Sequence, residues 1–196
     1  MNTIETIIDM TINGPGDSDR HALVLFSLIL QNKSKSVMEL GVRSGRTTMP
    51  IFEACKITRA SMISVDMNKP QFDYKILEEG YPNFKFVLSD SIIFLEKCVS
   101  NKVYFDFVFV DDWHDGIHVR RELDLLDALT DNKSLIVLHD LMYNNSQPYY
   151  NTSVGKNGDE FGNGGPFFAV NSLDKNVWEW CTIPVNNGLT ILRKKE

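Results

Sequence analysis

Five short apolar runs recur along the chain, and each finishes on or beside an acid: "SVMELG", "SMISVD", "FKFVLSD", "FDFVFVD" and "SLIVLHD". The fourth is apolar almost throughout, which suits a strand covered on both faces. Helical patterns fill the intervals. They run over "TTMPIFEACK", with Pro50 tolerable in the opening turn, over "PQFDYKILEEG" up to Gly80, over "SIIFLEKCV", and over "HVRRELDLLDAL", where Leu123, Leu126 and Leu129 form a stripe. Alternation of this kind predicts a parallel α/β sheet with right-handed crossovers. Ser18 and Asp19 are placed to cap an earlier helix over "RHALVLFSLILQ". A short helix is expected from about Pro166 to Leu173. After it, "VWEWCTIP" and "GLTILRK" flank the turn "VNNG" and should close the sheet as a hairpin. The chain reads as one domain, 1–196, opened by a helical segment over 1–35.

Charge and cysteine content narrow the function classes. A net charge of −6 and a pI near 5.2 argue against a nucleic-acid partner, which calls for a basic patch. The three cysteines, Cys55, Cys98 and Cys181, are odd in number and far apart, as in a reducing compartment. "MNTIETIIDMT" lacks the basic start of a secretion signal, and "ALVLFSLIL" is too short to span a bilayer. A cytoplasmic protein without membrane insertion is expected.

In open parallel sheets, ligands sit beyond the carboxyl ends of the strands. The strand-end residues to weigh are therefore Glu39, Asp66, Asp111 and Asp140, with Asp90 just after the third run. Any one of them alone would serve as a helix cap; so many in register point to a site. In "ELGVRSGRTT", Gly41 and Gly45 let the backbone approach a ligand closely, and the helix start that follows offers amides. The spacing is G-x-x-x-G, however, and Arg43 stands where a dinucleotide motif has its middle glycine. An acid before the turn suits a cationic ligand better than a phosphate. Asp66, about twenty residues on, is placed to accept from ribose hydroxyls.

The ordered set "ELGVRSGRTT", "ISVDMN", "LSDS", "FVFVDDWH" and "LIVLHD" resembles the class I S-adenosylmethionine-dependent methyltransferases. It is most similar to a small O-methyltransferase-like branch with E-x-G-V-R-x-G, D-x-W-H, H-D and N-N-G-L-T segments, linked to glycan modification. The resemblance implies a Rossmann-like, mostly parallel seven-stranded sheet in the order 3-2-1-4-5-7-6, with helices on both faces and a C-terminal antiparallel hairpin. It implies that Glu39, Gly41 and Gly45 hold the methionine end of S-adenosylmethionine, with Arg43, Ser44 and Thr47 beside them. Asp66 would take the ribose, Met67 the adenine face, and Ser89, Asp90 and Ser91 the adenine edge. Asp111 and Trp113 would flank the cofactor.

The acceptor half rests on Asp111, His114, His139 and Asp140, at the ends of the fourth and fifth runs. An oxygen acceptor loses its proton as the methyl arrives, so a base or a Lewis-acid cation is useful there. His114 is the first candidate for the base and His139 the second; Asp111 is the third member of the catalytic set. By resemblance Asp111 and Asp140 are candidate ligands of Mg2+ or Mn2+, with His139 beside them where many relatives carry an acid. His118 reads as an ordinary surface residue, and His21 matches a histidine of the same branch. The segment 142–165, rich in Asn, Gly and Tyr, is read as an acceptor loop in which Tyr143, Tyr149, Tyr150 and Phe161 stack on the acceptor. The expected acceptor is a hydroxyl on a sugar, glycan or small molecule. Two other readings stand beside this one: a nucleotide-dependent oxidoreductase, and a glycan-binding module that keeps the fold without turnover.

Overall fold

The computed structural model describes residues 2–142 and 162–196. Tyr143, Tyr149, Tyr150, Phe161 and most of the expected acceptor loop lie outside the described residues.

The chain opens with α1 (Thr3–Asn13), which the sequence reading did not resolve as a separate helix. Asn2 and Glu5 close it with a reciprocal capping box. A 3-10 turn, Ser18–His21, then leads into α2 (Ala22–Asn32). The cap of that turn is Asp17, which accepts from the Ser18 amide. This corrects the assignment to Ser18 and Asp19: Asp19 is fully buried and pairs with Arg46 of the glycine-rich turn instead.

From there β1 (Ser36–Leu40), α3 (Thr48–Thr58), β2 (Ser61–Asp66), α4 (Lys75–Gly80), β3 (Phe84–Leu88) and α5 (Ser91–Ser100) alternate as expected. They are followed by β4 (Phe107–Val110), α6 (Gly116–Leu129), β5 (Leu135–His139), α7 (Gly165–Asn171), β6 (Trp178–Ile183) and β7 (Leu189–Lys194). The helix α4 is one short turn and a half, shorter than the pattern suggested, and it presents no buried residue. Among the described residues the sheet has seven strands in the order β3-β2-β1-β4-β5-β7-β6. The first five pair in parallel, and β7 runs antiparallel to both β5 and β6. Fold class and strand order are those the sequence led us to expect.

Side-chain alternation divides the core between the two faces of the sheet. Val37, Phe107, Phe109 and Val137 pack against α2 and α3. Met38, Leu40, Val108, Val110, Ile136 and Leu138 pack against α5, α6 and α7. Phe107 and Phe109 are completely buried, and truncating either to Ala would cost ~3–5 kcal/mol. The same alternation sends the residues just past the strands to opposite faces. Asp111 continues the face of Phe109, while Asp112 continues that of Val110.

Candidate active site

The glycine-rich turn between β1 and α3 is built around two carboxylates. Glu39, on the α3 face of β1, is fully buried. Thr47 Oγ1 donates to its Oε1 at 2.8 Å, Thr48 Oγ1 to its Oε2 at 2.9 Å, and Ser64 Oγ to its Oε2 at 2.6 Å. Burial pushes the Glu39 carboxyl up to about 7, against the pull of those three hydroxyls. Glu39 thus pins the start of α3 to β1 and β2.

Asp66 fixes the turn from the other side. Its Oδ2 accepts the Val42 and Arg43 amides at 2.9 and 3.0 Å, and its Oδ1 accepts the Asn68 amide at 2.7 Å. Gly41, Arg43 and Gly45 all take left-handed backbone, with φ of 88°, 46° and 77°. Arg43 therefore bears the conformation that a glycine would adopt without strain. A Cβ on Gly41 would lie 2.1 Å from the Asp111 carbonyl oxygen, so only glycine lets β1 and β4 end side by side here.

Farther along the strand ends, Met67 and Trp113 leave 66% and 41% of their surfaces uncovered. Ser89 and Asp90 precede α5, which Asp90 caps through the Ile93 amide at 3.0 Å. Ser91 Oγ lies 3.1 Å from His118 Nε2. Ser44 sits exposed in the turn between Arg43 and Gly45, whereas Thr47 is buried.

The expected acceptor-side residues converge. His114 Nε2 is 3.3 Å from Asp111 Oδ1 and 3.0 Å from Asp140 Oδ2. His139 Nδ1 lies 3.3 Å from the same Asp111 oxygen and 3.3 Å from Asp140 Oδ1. Two imidazoles and two carboxylates thus meet. The ligand atoms of Asp111, His114 and Asp140 form one close set and those of Asp17, His139 and Asp140 another, and Trp113 and Pro166 lie beside them. Burial opposes charge on both rings, but the Asp111 and Asp140 carboxylates outweigh it. They raise His114 to about 10 and His139 to about 11. Both carboxyls in turn are held below their usual range, burial notwithstanding, by His114 and His139. Asp140 has a left-handed φ of 64°, a strained setting of the sort that clusters at functional sites.

Three further contributors escaped the sequence reading. Asp17 comes within metal-ligand reach of His139 and Asp140. It is held there by the β6–β7 turn, where Asn186 donates to its carbonyl at 2.8 Å and Asn187 to its carboxylate at 2.9 Å. Asn163 donates to Asp115, the cap of α6, at 2.6 Å, which brings the segment before α7 onto the same end of the sheet. His118 is no ordinary surface residue: it is half-buried, with Asp112 and Glu122 around its Nε2. Nothing local marks Asp17, because its neighbours at the site are more than a hundred residues away in sequence. The His118–Glu122 pair did carry a signal, the i,i+4 spacing on α6.

Comparison with known proteins agrees with this architecture. A family model described as a methyltransferase domain matches residues 38–141, more than half of the chain. No curated protein matches. Among solved structures, the chain is similar to an SAH-bound methyltransferase, PaMTH1, from Podospora anserina. The TM-score is 0.68 and the identity 18%, over 100% of this chain and 89% of that one. It is also similar to the O-methyltransferase TomG from Streptomyces achromogenes, in complex with SAM and involved in tomaymycin synthesis. There the TM-score is 0.71 and the identity 12%, over 100% of this chain and 91% of that one. MycE, a methyltransferase of the mycinamycin biosynthetic pathway in complex with Mg and SAH, gives 0.63 and 18% over 91% of this chain and 50% of its own. At these identities the structural likeness speaks for the fold, and the family model speaks for the family. The chain belongs to the methyltransferase-domain family.

Proposed function

We propose that the protein transfers a methyl group from S-adenosylmethionine to a hydroxyl, on a sugar, glycan or other small molecule, in the cytoplasm. One observation carries this reading: the Asp111–His114–His139–Asp140 cluster stands at the ends of β4 and β5, next to a turn made for a cationic ligand. The Val42 and Arg43 amides, which a pyrophosphate would need, are already taken by the Asp66 carboxylate. The Asp66 carboxylate thus stands where a dinucleotide site would offer free amides to a phosphate. That disfavours the oxidoreductase reading.

When bound, S-adenosylmethionine supplies its methyl on a positively charged sulfur. Glu39 and Asp66 orient the turn that would hold its methionine end, and Asp66 Oδ1 retains acceptor capacity for a ribose hydroxyl. Met67, Trp113, Ser89, Asp90 and Ser91 would line the adenine, and Arg43, Ser44, Gly45 and Thr47 the methionine end.

The donor set of two carboxylates and two imidazoles fits a divalent cation such as Mg2+ or Mn2+. Asp140 Oδ1 is buried and accepts no hydrogen bond of good geometry, as a ligand oxygen would be placed. Asp111, Asp140 and His139 would hold the ion. The ligand atoms that gather within 4.8 Å of one another are those of Asp111, His114 and Asp140 and, separately, those of Asp17, His139 and Asp140. When bound, it would supply Lewis acidity at the acceptor oxygen. His114 is the base in this proposal, held by Asp111 and Asp140. Those carboxylates favour its charged form, so it can take a proton only where their charge is compensated. Cation binding and base function are thereby linked.

Calorimetry with S-adenosylhomocysteine, joined to a methyl-transfer assay on candidate hydroxyl acceptors, tests the proposal. The expected result is donor binding that survives Asp111→Asn while methyl transfer is lost. No binding to the wild type would end the S-adenosylmethionine reading. Binding without transfer to any sugar or small-molecule hydroxyl would favour the non-catalytic glycan-binding module.

A further inference from the structure

We propose that Asp112, His118 and Glu122 form a second cation site, suited to a zinc-class divalent ion, on the face of the sheet opposite the Asp111 cluster. Glu122 takes a core position on α6 between Val119 and Leu123 and is completely buried. A carboxylate so placed is costly unless something pairs with it. Neither of its oxygens accepts a hydrogen bond, and the buried Asp112 Oδ1 lacks one as well. The sole ion-pair partner of Glu122 among the described residues is His118, whose Nε2 stands 3.3 Å from Oε1.

The same nitrogen is 3.6 Å from Asp112 Oδ2 and 3.1 Å from Ser91 Oγ. The ligand atoms of Asp112, His118 and Glu122 all lie within 4.8 Å of one another. Bonds of about 2.1 Å in a tetrahedral site put neighbouring ligand atoms about 3.4 Å apart, so the observed nitrogen-to-oxygen spacings have room for one ion in place of the His118 proton. One imidazole with two carboxylates suits zinc-class ions better than magnesium. His118 and Asp112 keep 21% and 18% of their side-chain surface exposed, which leaves a way in. An ion there would join the end of β4 to α6 beside Ser91, the first residue of α5. The competing account is a proton shared between Glu122 and Asp112, for burial and then the Asp112 charge push Glu122 up to about 8.

The inference does not depend on the methyl-transfer reading, because metal content is read directly. The full chain is stripped with a chelator, dialysed and titrated calorimetrically with Zn2+ and, separately, Mg2+. Wild type is compared with Asp111→Asn/Asp140→Asn, which disables the other cluster. The double variant should keep one tight Zn2+ equivalent with little Mg2+ uptake, and adding Glu122→Gln or His118→Ala should remove it. A folded double variant that takes up no Zn2+, or full retention after either added change, overturns the site in favour of the shared proton. Near-ultraviolet circular dichroism checks the fold. If Glu122→Gln does not fold, the half-exposed His118→Ala carries the comparison. If the double variant does not fold, His118→Ala against wild type decides: one equivalent lost supports the site, and none lost overturns it.

Discussion

His21 packs edge-on against His139, with ring centroids 5.2 Å apart and planes at 70°, and the two imidazoles prefer opposite protonation states. Burial first, and then the charge of His139, holds His21 down to about 4, while Asp111 lifts His139 to about 11 in spite of burial. His21 is therefore a neutral ring behind a charged one, and its buried Nε2 has no hydrogen-bond partner. His21→Phe keeps the edge contact and removes the nitrogens. We expect unchanged affinity for S-adenosylhomocysteine and a fall in kcat of about tenfold, less than the roughly 10²–10⁴-fold of a direct acid–base group, because His21 acts through His139. A kcat equal to wild type would reduce His21 to packing.

The left-handed backbone at Asp140 makes Asp140→Asn the informative change at the acceptor side. Asparagine tolerates that conformation, so the fold should survive with little change in Tm. Its amide, however, gives up the charge that both His114 and His139 face at 3.0 and 3.3 Å. Methyl transfer should fall by about 10²-fold or more, and EDTA should produce a comparable loss in the wild type, reversed by Mg2+ or Mn2+. Full activity after exhaustive chelation would remove the cation from the mechanism and leave the imidazoles alone to serve.

How much of this was legible in the sequence follows from the range of the interactions. The strands, their order and the acids at their ends are carried by local periodicity and by a resemblance, and β1 to β5 fell where the apolar runs lie. Asp111, His114, His139 and Asp140 come from two adjacent strand ends, and that adjacency follows from the parallel order. Asp17 was illegible because it reaches the site through the Asn186–Asn187 turn, a contact between the two ends of the chain. Arg43, which stands where a dinucleotide motif has its middle glycine, is a non-glycine residue held at positive φ by the amide contact to Asp66, a backbone setting that the residue type did not announce. His118 was misread because a polar residue on a helix looks solvent-facing until its burial against Glu122 is known.

Asp66→Ala should weaken donor binding through the turn as well as through any direct contact. The carboxylate accepts three backbone amides, two of them from the turn itself. Hydrogen bonds to a charged group contribute about 1.5–3 kcal/mol each, and without them the left-handed Arg43 loses its anchor. The Kd for S-adenosylhomocysteine should rise by about 10²-fold, with Tm lowered in the free protein. Asp66→Asn, whose one oxygen can still accept the Val42 and Arg43 amides but not the Asn68 amide as well, should recover part of the Tm and part of the affinity. Equal affinity in all three proteins would show that neither the ribose contact nor the turn depends on this side chain.

Glu39 gives a pH dependence whose sign is set by burial. Burial raises its carboxyl from the ordinary 4.5 to about 7 in the folded protein, so the folded state prefers it protonated. Its contribution to stability is fully present below 4.5 and is lost as pH rises through 7. A shift of that size corresponds to roughly 3 kcal/mol. Glu39→Gln removes the titration and leaves a neutral amide among Thr47, Thr48 and Ser64, whose hydroxyls can turn to meet it. Urea unfolding of the donor-free protein should therefore show the variant gaining on wild type by about 2–3 kcal/mol between pH 5 and pH 8. The other titrating groups are common to both proteins and drop out of the difference. The charge that costs stability in the free protein is the one a cationic donor would welcome. The variant should therefore bind S-adenosylmethionine more weakly at pH 8, while the two proteins converge near pH 5. A stability difference that does not change with pH would show that Glu39 is ionised in the folded state throughout, with the three hydroxyls sufficient to hold the buried charge.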